Sequence, residues 1–292
     1  MTAVVLRSPA KINWFLEVLG RRTDEYHEIV SVMQLVDLCD EVTLHPCRRG
    51  VRITVSGAEL PEGPGNLAHR AAALLLEAAG CPEGVEIHLT KRIPVAGGLG
   101  GGSSNAAAVL IGLNRLYGFE WTLPALRTLA ERIGSDVPFF FSEGLALSTG
   151  RGEVLSPLPA WAPQWLVLAN AGQPVSTAWA YGEVSSKLTV GRGQVTLPAF
   201  TRGGGLPWPP VWAFNRFEAA VLPHRPEIGA LKILLQQGGG APVLMSGSGG
   251  SVFAVVPDSA AAARLAASVT GAGAFAAAAI TLASNPLTAP VG

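Results

Sequence analysis

The sequence predicts an α+β protein folded in two domains. Apolar residues alternate with polar ones in some segments and recur at helical spacing in others. The two kinds follow one another without the regular strand-then-helix order of a doubly wound sheet. At 292 residues the chain is long enough for two moderate domains, each with a buried core.

The elements follow in order. Pro9-Ala10-Lys11-Ile12-Asn13-Trp14-Phe15-Leu16-Glu17 reads as a strand in which Lys11 and Asn13 share one side. A polar turn, Gly20-Arg21-Arg22-Thr23-Asp24-Glu25-Tyr26-His27, comes next. Val42–Leu44 and Val51–Val55, separated by Pro46-Cys47-Arg48-Arg49-Gly50, predict a hairpin. Asn66 stands as an N-cap before Leu67, Ala71, Leu74, Leu75 and Ala78, a helix closed by Gly80. Val85, Ile87 and Leu89 alternate with Glu86, His88 and Thr90 as in a half-buried strand. After a glycine-rich loop, Ala106, Leu110, Leu113 and Tyr117 define a helix stopped by Gly118, and a further helix is expected from Leu123 to Ile133. Residues 185–210, rich in Gly and Pro, predict a long mobile loop. Helical runs near 215–222 and 226–237 follow it. A strand at Val243-Leu244-Met245, a second Gly/Ser loop, a strand over Val252–Val256 and an Ala-rich helix opened by Asp258 complete the chain. No internal repeat is present.

Composition narrows the class. Net charge is zero, so the overall balance points to neither a nucleic-acid nor a membrane partner, and charged residues make up only 14%, which suits a compact globule. Arg7, Lys11 and Glu17 interrupt the apolar N-terminal residues, breaking a signal-peptide core, so a cytoplasmic enzyme is expected. Cys39, Cys47 and Cys81 form no C-x-x-C pair and read as free thiols, and no zinc pattern or dedicated metal-ligand spacing is found.

The most informative segment is Pro94-Val95-Ala96-Gly97-Gly98-Leu99-Gly100-Gly101-Gly102-Ser103-Ser104-Asn105, with five glycines between a strand and a helix. Glycine permits positive φ and close approach of a ligand, and the N–H groups of the following helix start favour an anion, so the segment has the layout of a phosphate cradle. It is not the P-loop, which needs Lys where Ser103 stands, and no G-x-G-x-x-G register fits.

Four further segments carry candidate chemistry. An isolated strand lysine such as Lys11 is ordinarily solvated, and a Tyr26-His27 pair is ordinarily surface, although tyrosine can stack on a planar ligand and histidine can bond its edge. Asp136, in Gly134-Ser135-Asp136-Val137-Pro138-Phe139-Phe140-Phe141, sits among apolar residues; it is either a helix cap or a functional carboxylate with a cationic partner. Met245-Ser246-Gly247-Ser248-Gly249-Gly250-Ser251-Val252-Phe253 is a second glycine-serine loop, in its plainest reading a hairpin turn. Two such loops with a separated Lys and Asp are the parts a small-molecule kinase needs.

The segments Pro9–Asn13, Pro94–Ala106 and Met245–Phe253 resemble the three motifs of the GHMP kinases, and the likeness covers nearly the whole chain. Tyr26-His27, Asn66-Leu67 and Gly134–Phe140 bring it nearest to members that act on a cytidine diphosphate conjugate in non-mevalonate isoprenoid synthesis. The resemblance implies a two-domain fold over residues 1–156 and 157–292, the first like ribosomal protein S5 domain 2 and the second ferredoxin-like. It implies ATP-dependent phosphorylation of the 2-hydroxyl of the methylerythritol unit, with Mg2+ held largely by ATP and water, in a monomer or weak homodimer. Asp136 is then the general base and Lys11 its partner, with Asn13 at the methylerythritol end. Tyr26 stacks on cytosine, His27 bonds it, and Thr177 and Tyr181 bring a second aromatic to the opposite face. Pro94 to Ser104 hold the triphosphate, and Asn66 lies near the nucleotide base. Trp14 stands where the family more often has a smaller aliphatic residue, so the usual shape of the substrate wall is not assumed there. The alternatives are a GHMP kinase for mevalonate, homoserine or a sugar, which has no use for a cytosine-binding edge, and a nucleotide sensor, which has no need of a base beside a cation.

Overall fold

A computed structural model describes residues 2–187 and 212–289. Its first element, β1 (Val4–Arg21), pairs antiparallel along its length with β2 (His27–Cys47). The register shifts between Pro9 and Ala10 and again between Asn13 and Phe15, so irregularities bracket the Lys11–Asn13 segment. Such bulges re-aim side chains without ending the sheet.

The hairpin expected between residues 42–44 and 51–55 does not form. β3 (Val51–Ser56) instead runs parallel to β4 (Gly84–Thr90), with α1 (Leu67–Ala78) as the crossover, and β4 lies between β3 and β2. The physical reason is burial: Val85, Ile87 and Leu89 are all enclosed, and a strand in that position is best paired on both edges. A five-residue link invites a hairpin locally, but the tertiary gain of inserting β4 wins. Gly84 permits the fit, since a Cβ there would lie 2.2 Å from the Gly50 carbonyl oxygen.

The helices α2 (Gly101–Tyr117) and α3 (Leu123–Ala130) pack with α1 against this sheet. α2 stops as expected at Gly118, at φ +63°, whose N–H donates to Asn114. α3 is three residues shorter than expected, with 131–133 forming a turn. β5 (Leu145–Thr149) pairs with β2, and β6 (Val154–Pro157) with β5.

The second half builds a four-stranded antiparallel sheet. β7 (Trp165–Asn170) leads to α4 (Thr177–Lys187), so Ser185, Ser186 and Lys187 are helical rather than the start of a loop, and 188–210 fall outside the described residues. β8 (Phe214–Asn215) crosses back to pair in parallel with β1. α5 (Glu218–Val221) and α6 (Pro226–Gln237) precede β9 (Val243–Met245) and β10 (Ser251–Val256), the hairpin expected around the second glycine loop. Asp258 caps α7 (Ser259–Gly271), accepting from the N–H of Ala261, and β11 (Phe275–Ile280) ends the sheet in the order β11-β7-β10-β9. The architecture is α+β, as expected.

Between the two sheets lies a shared core that joins Ala10, Ile12 and Phe15 to Leu166, Leu168 and Phe253. Trp14 belongs to it. Its ring meets Phe253 edge-on at 5.2 Å, and its indole N–H donates to Gln34 Oε1 at 3.0 Å. As the extra residue in the β1 irregularity, it turns into this core with Ile12 and Phe15. Among the described residues the three cysteines are unpaired, and no helix is long and apolar enough to cross a membrane.

The close approach at Gly84 is testable. Gly84→Ala presses a methyl into backbone that cannot yield and should lower stability by about 2 kcal/mol or more. Gly229→Ala, within α6 and in open space, should instead raise it by up to about 1 kcal/mol. Urea denaturation of both checks the contrast, and equal effects would refute it.

Candidate active site

The glycine loop is held by backbone. Its Leu99 carbonyl accepts the N–H of Lys11 at 2.9 Å, its Gly97 carbonyl accepts the N–H of Ser251 at 3.1 Å, and its Gly98 carbonyl accepts the Ser246 hydroxyl at 3.0 Å. All three resembling segments thus meet at one place. The conformation demands the sequence: Gly98 and Gly100 have φ of +75° and +71°, and a Cβ on Gly98 would fall 2.1 Å from the Ser246 carbonyl oxygen. Ala96, at φ +51°, takes the same region without glycine's freedom, a strain tolerated where the surroundings fix the chain. Leu99 is buried in the shared core and anchors the loop, while Val95 is exposed.

A cavity of about 420 Å3 lies over this loop, lined by Pro94 to Ser103 with Lys11, Asn13 and Asp136. No side chain caps α2, so the N–H groups of its first turn remain available to an anion at the positive end of the helix dipole. Ser104 is not in this lining; its hydroxyl accepts from Ser8 beneath the loop at 2.7 Å. Asn66 is also absent from the lining. Its Oδ1 accepts the N–H of Ala68 and its Nδ2 donates to the Pro61 carbonyl, while its neighbours Leu60 and Leu67 reach the cavity.

Lys11 is buried rather than solvated. Its Nζ donates to Asn13 Oδ1 at 2.7 Å and lies 3.9 Å from Asp136 Oδ2. Asn13 is itself fixed, donating to Ser31 and accepting the N–H of Gly247 at 2.9 Å. Burial pushes the Lys11 ammonium below the usual lysine range, against the attraction of Asp136. An anion in the cavity would favour its charged form.

The expectation that Asp136 is embedded among apolar residues is corrected. Its side chain is 42% exposed and caps nothing, because the short 3-10 turn Val137–Phe141 directs Val137, Phe139 and Phe140 into the core and leaves the carboxylate at the cavity. Of the two readings open for it, the structure supplies the cationic partner.

A second cavity, about 700 Å3, is lined by Arg21, Tyr26, His27, Arg151 and Ser185. Ser103, Asp136, Thr177 and Tyr181 line both cavities, so the two meet at the carboxylate. Burial and the neighbouring Arg21 lower the His27 pKa, favouring a neutral ring able both to donate and to accept, and its Nε2 is 2.5 Å from Ser185 Oγ. Tyr181 stacks on His27 with centroids 4.7 Å apart, and burial, then Asp136, push its phenol well above the ordinary range. Tyr26 is half exposed, with the Arg151 guanidinium 4.7 Å over its ring. The aromatic residues therefore share one cavity, but Tyr26 and Tyr181 are each engaged with a different neighbour.

Several contributors had no local signal. Asp40, fully enclosed, pairs with Lys91 and accepts the N–H groups of Arg92 and Ile93, while Asn105 bridges Asp40 to Ser8. This network supports the loop from below. Asn215 donates to the carbonyls of Met245 and Gly247 and fixes the second glycine loop. Arg151, between Gly150 and Gly152 in the β5–β6 turn, marks itself only by those glycines. Among the described residues no cluster of three His, Cys, Asp or Glu is placed to hold a metal.

Comparison with known proteins finds both a matching family and similar folds. A family model of the GHMP kinases N terminal domain matches residues 66–144, and one of the GHMP kinases C terminal region matches 211–274. A 4-diphosphocytidyl-2-C-methyl-D-erythritol kinase of Geobacter metallireducens is 44% identical over 256 residues, covering 87% of this chain and 89% of its own. That of Gloeobacter violaceus is 45% identical over 278 residues, covering 93% and 91%. A crystal structure of 4-(cytidine 5'-diphospho)-2C-methyl-D-erythritol kinase superimposes with a TM-score of 0.79 at 37% identity, covering 96% of this chain and 99% of the other. A homoserine kinase from Cytophaga hutchinsonii, 19% identical with a TM-score of 0.71 over 98% and 96% of the two chains, shares the fold.

The buried lysine has a stability signature. Its lowered pKa means the folded state resists its charge, a penalty present at neutral pH and relieved as pH rises toward the unfolded value of 10.5. Lys11→Met should therefore raise stability by about 1 kcal/mol at pH 7, with the advantage shrinking by pH 10. Denaturation at both pH values tests this; a destabilised variant at pH 7 would refute it.

Proposed function

The chain belongs to the GHMP kinases, and from that membership and the junction of the two cavities we propose how its residues perform the reaction. The enzyme uses ATP to phosphorylate the 2-hydroxyl of 4-diphosphocytidyl-2-C-methyl-D-erythritol, giving the 2-phosphate and ADP in isoprenoid precursor synthesis. The observation that carries the assignment of roles is the position of Asp136, beside Lys11, where the phosphate-loop cavity and the aromatic cavity meet.

In this reading ATP lies over the glycine loop, its phosphates on the N–H groups of Gly97 to Ser103, which run into the start of α2, while Ser104 supports the loop from beneath. Asn66 acts at the base end through α1, which it caps, and through the Pro61 carbonyl that it holds. The cytidyl group occupies the second cavity, with Tyr26 and Tyr181 against the ring, His27 at its edge and Thr177 at the junction. The acceptor hydroxyl then lies beside Asn13 and Asp136. As its oxygen bonds the γ-phosphorus, the hydroxyl proton passes to the Asp136 carboxylate, and the bond to the leaving ADP oxygen breaks with its electron pair on ADP. Lys11 favours ionised Asp136 and stabilises charge on the transferring group. Seating a base between the two tyrosines requires the Tyr181–His27 stack or the Arg151–Tyr26 contact to open.

Mg2+ supplies charge neutralisation for the triphosphate. The protein oxygens at the junction, Ser103, Thr177 and Asp136, are hard donors of the kind it accepts alongside ATP and water. The division of labour follows the chain, with residues 1–156 carrying the nucleotide loop and 157–292 completing the acceptor side. The reading is of a monomer or weak homodimer working in the cytoplasm, with ATP and the cytidyl acceptor as its small-molecule partners.

Asp136→Asn should lower turnover of the cytidyl acceptor by about 10²–10⁴-fold, and neither mevalonate nor homoserine should replace that acceptor. Coupled ADP release with product analysis checks both, and turnover of a control acceptor would refute the specificity. His27→Ala should raise KM for the cytidyl acceptor about 5- to 10-fold, the worth of one hydrogen bond, with KM for ATP unchanged. A rise in both constants would place His27 elsewhere.

A further inference from the structure

The chain after β11 returns to the first half. Thr281 bridges to Val36, the N–H of Leu282 donates to the Leu35 carbonyl, and Leu287 is fully buried in the core beneath α2. Arg115 of α2 holds this segment by donating to the Leu287 carbonyl at 2.7 Å and the Ala289 carbonyl at 3.2 Å. Within it stands Asn285, 2% exposed and fully committed. Its Nδ2 donates to the carbonyls of Phe140 and Ser142, each at 2.8 Å, and its Oδ1 accepts the N–H of Leu287 at 2.9 Å.

Those two carbonyls lie at the end of the 3-10 turn that begins immediately after Asp136. A short turn leaves its last carbonyls without partners of its own, and buried carbonyls demand them. The same turn also reaches the phosphate loop, since a Cβ on Gly100 would meet Phe140 Cζ and Lys11 Cγ, each at 2.9 Å. Phe140 is thus packed at the point where the Lys11 strand, the glycine loop and the Asp136 turn converge.

We propose that Asn285 is a positioning residue for phosphoryl transfer: its amide clamps the turn carrying Asp136 and seats the carboxylate between Lys11 and the acceptor. It touches neither substrate nor ATP and acts only through the Phe140 and Ser142 carbonyls. The proposal rests on the assignment of Asp136 as base. An in-line transfer is sensitive to displacement of the base by an ångström, whereas apart from Ser135 and Asp136 the ligand cavities are lined from other elements, so the effect falls on the chemical step.

The test is Asn285→Asp, which keeps the shape and the acceptor for Leu287 but loses both amide donors, together with Asn285→Ala. Val269→Ala, in the separate core around α7, serves as a stability control. Both Asn285 variants should lower kcat about 10- to 100-fold with KM for ATP and for the cytidyl acceptor within about twofold. The control should keep its kcat at an equal loss of Tm. Hydrogen–deuterium exchange of residues 137–142 should also accelerate in the Asn285 variants. That readout needs no acceptor, so failure of wild-type turnover on the cytidyl acceptor would count against the substrate reading, and unchanged exchange against the clamp. A wild-type kcat in Asn285→Asp, or a kcat loss matched by the control, overturns the proposal. If neither Asn285 variant folds, Arg115→Ala, which releases the segment from its outer side, must accelerate the same exchange or the proposal falls.

Discussion

Everything in the site depends on how closely three stretches of backbone approach one another. The glycine loop is pinned by Lys11 on one side and by Ser246 and Ser251 on the other, through hydrogen bonds whose geometry leaves no room for a side chain on Gly98. That approach places the buried ammonium of Lys11 under the cavity, presents the α2 N-terminus beside it, and orients Asn13 through the Gly247 N–H. Loosening the clamp would separate the start of α2 from Lys11 and Asn13. Uncharged bonds suit this task, because they satisfy the loop's buried carbonyls and fix its position without adding charge beside Lys11.

Beneath the clamp, polar groups are buried in quantity and nearly all are satisfied. Lys91, Asp40, Asn105, Ser8 and Ser104 form a chain of contacts under the loop, and Glu17 holds Arg216 through two 2.6 Å bonds where β1 meets β8. The buried Lys91–Asp40 pair contributes little net stability, yet loss of one partner leaves an uncompensated charge. Its value here is specificity of arrangement: Asp40 binds two backbone N–H groups just ahead of the loop, so the strand exit and loop entry have one conformation.

Much of this was legible from residue order. Alternation put Lys11 and Asn13 on one side of a strand, glycine spacing identified both loops, and the caps Asn66 and Asp258 marked helix starts, because each of these is a local property. What escaped were properties of distance along the chain. The 42–55 hairpin failed because β4, 30 residues on, competes for the same edge. The exposure of Asp136 depends on which way a 3-10 turn faces, and Phe15 joins Ile12 and Trp14 in the core through a bulge that pattern alone does not reveal. Asp40, Asn215 and Asn285 act on segments 30 to 145 residues away, and an isolated Asn or Asp gives no sign of such a partner.

The core shared by the two sheets has a consequence for how the molecule comes into being. Ala10, Ile12 and Phe15 are covered by Leu166, Leu168 and Phe253, and Leu287 fills the core of the first half. As the ribosome delivers the chain, the first sheet must therefore wait with an apolar face uncovered until residues more than 230 positions later emerge. At about 5–20 residues per second this leaves a sticky intermediate for many seconds. The nascent protein thus exposes apolar surface while it is being made, and the turn after Asp136 gains its Asn285 hydrogen bonds only once residues 145 positions further on have emerged.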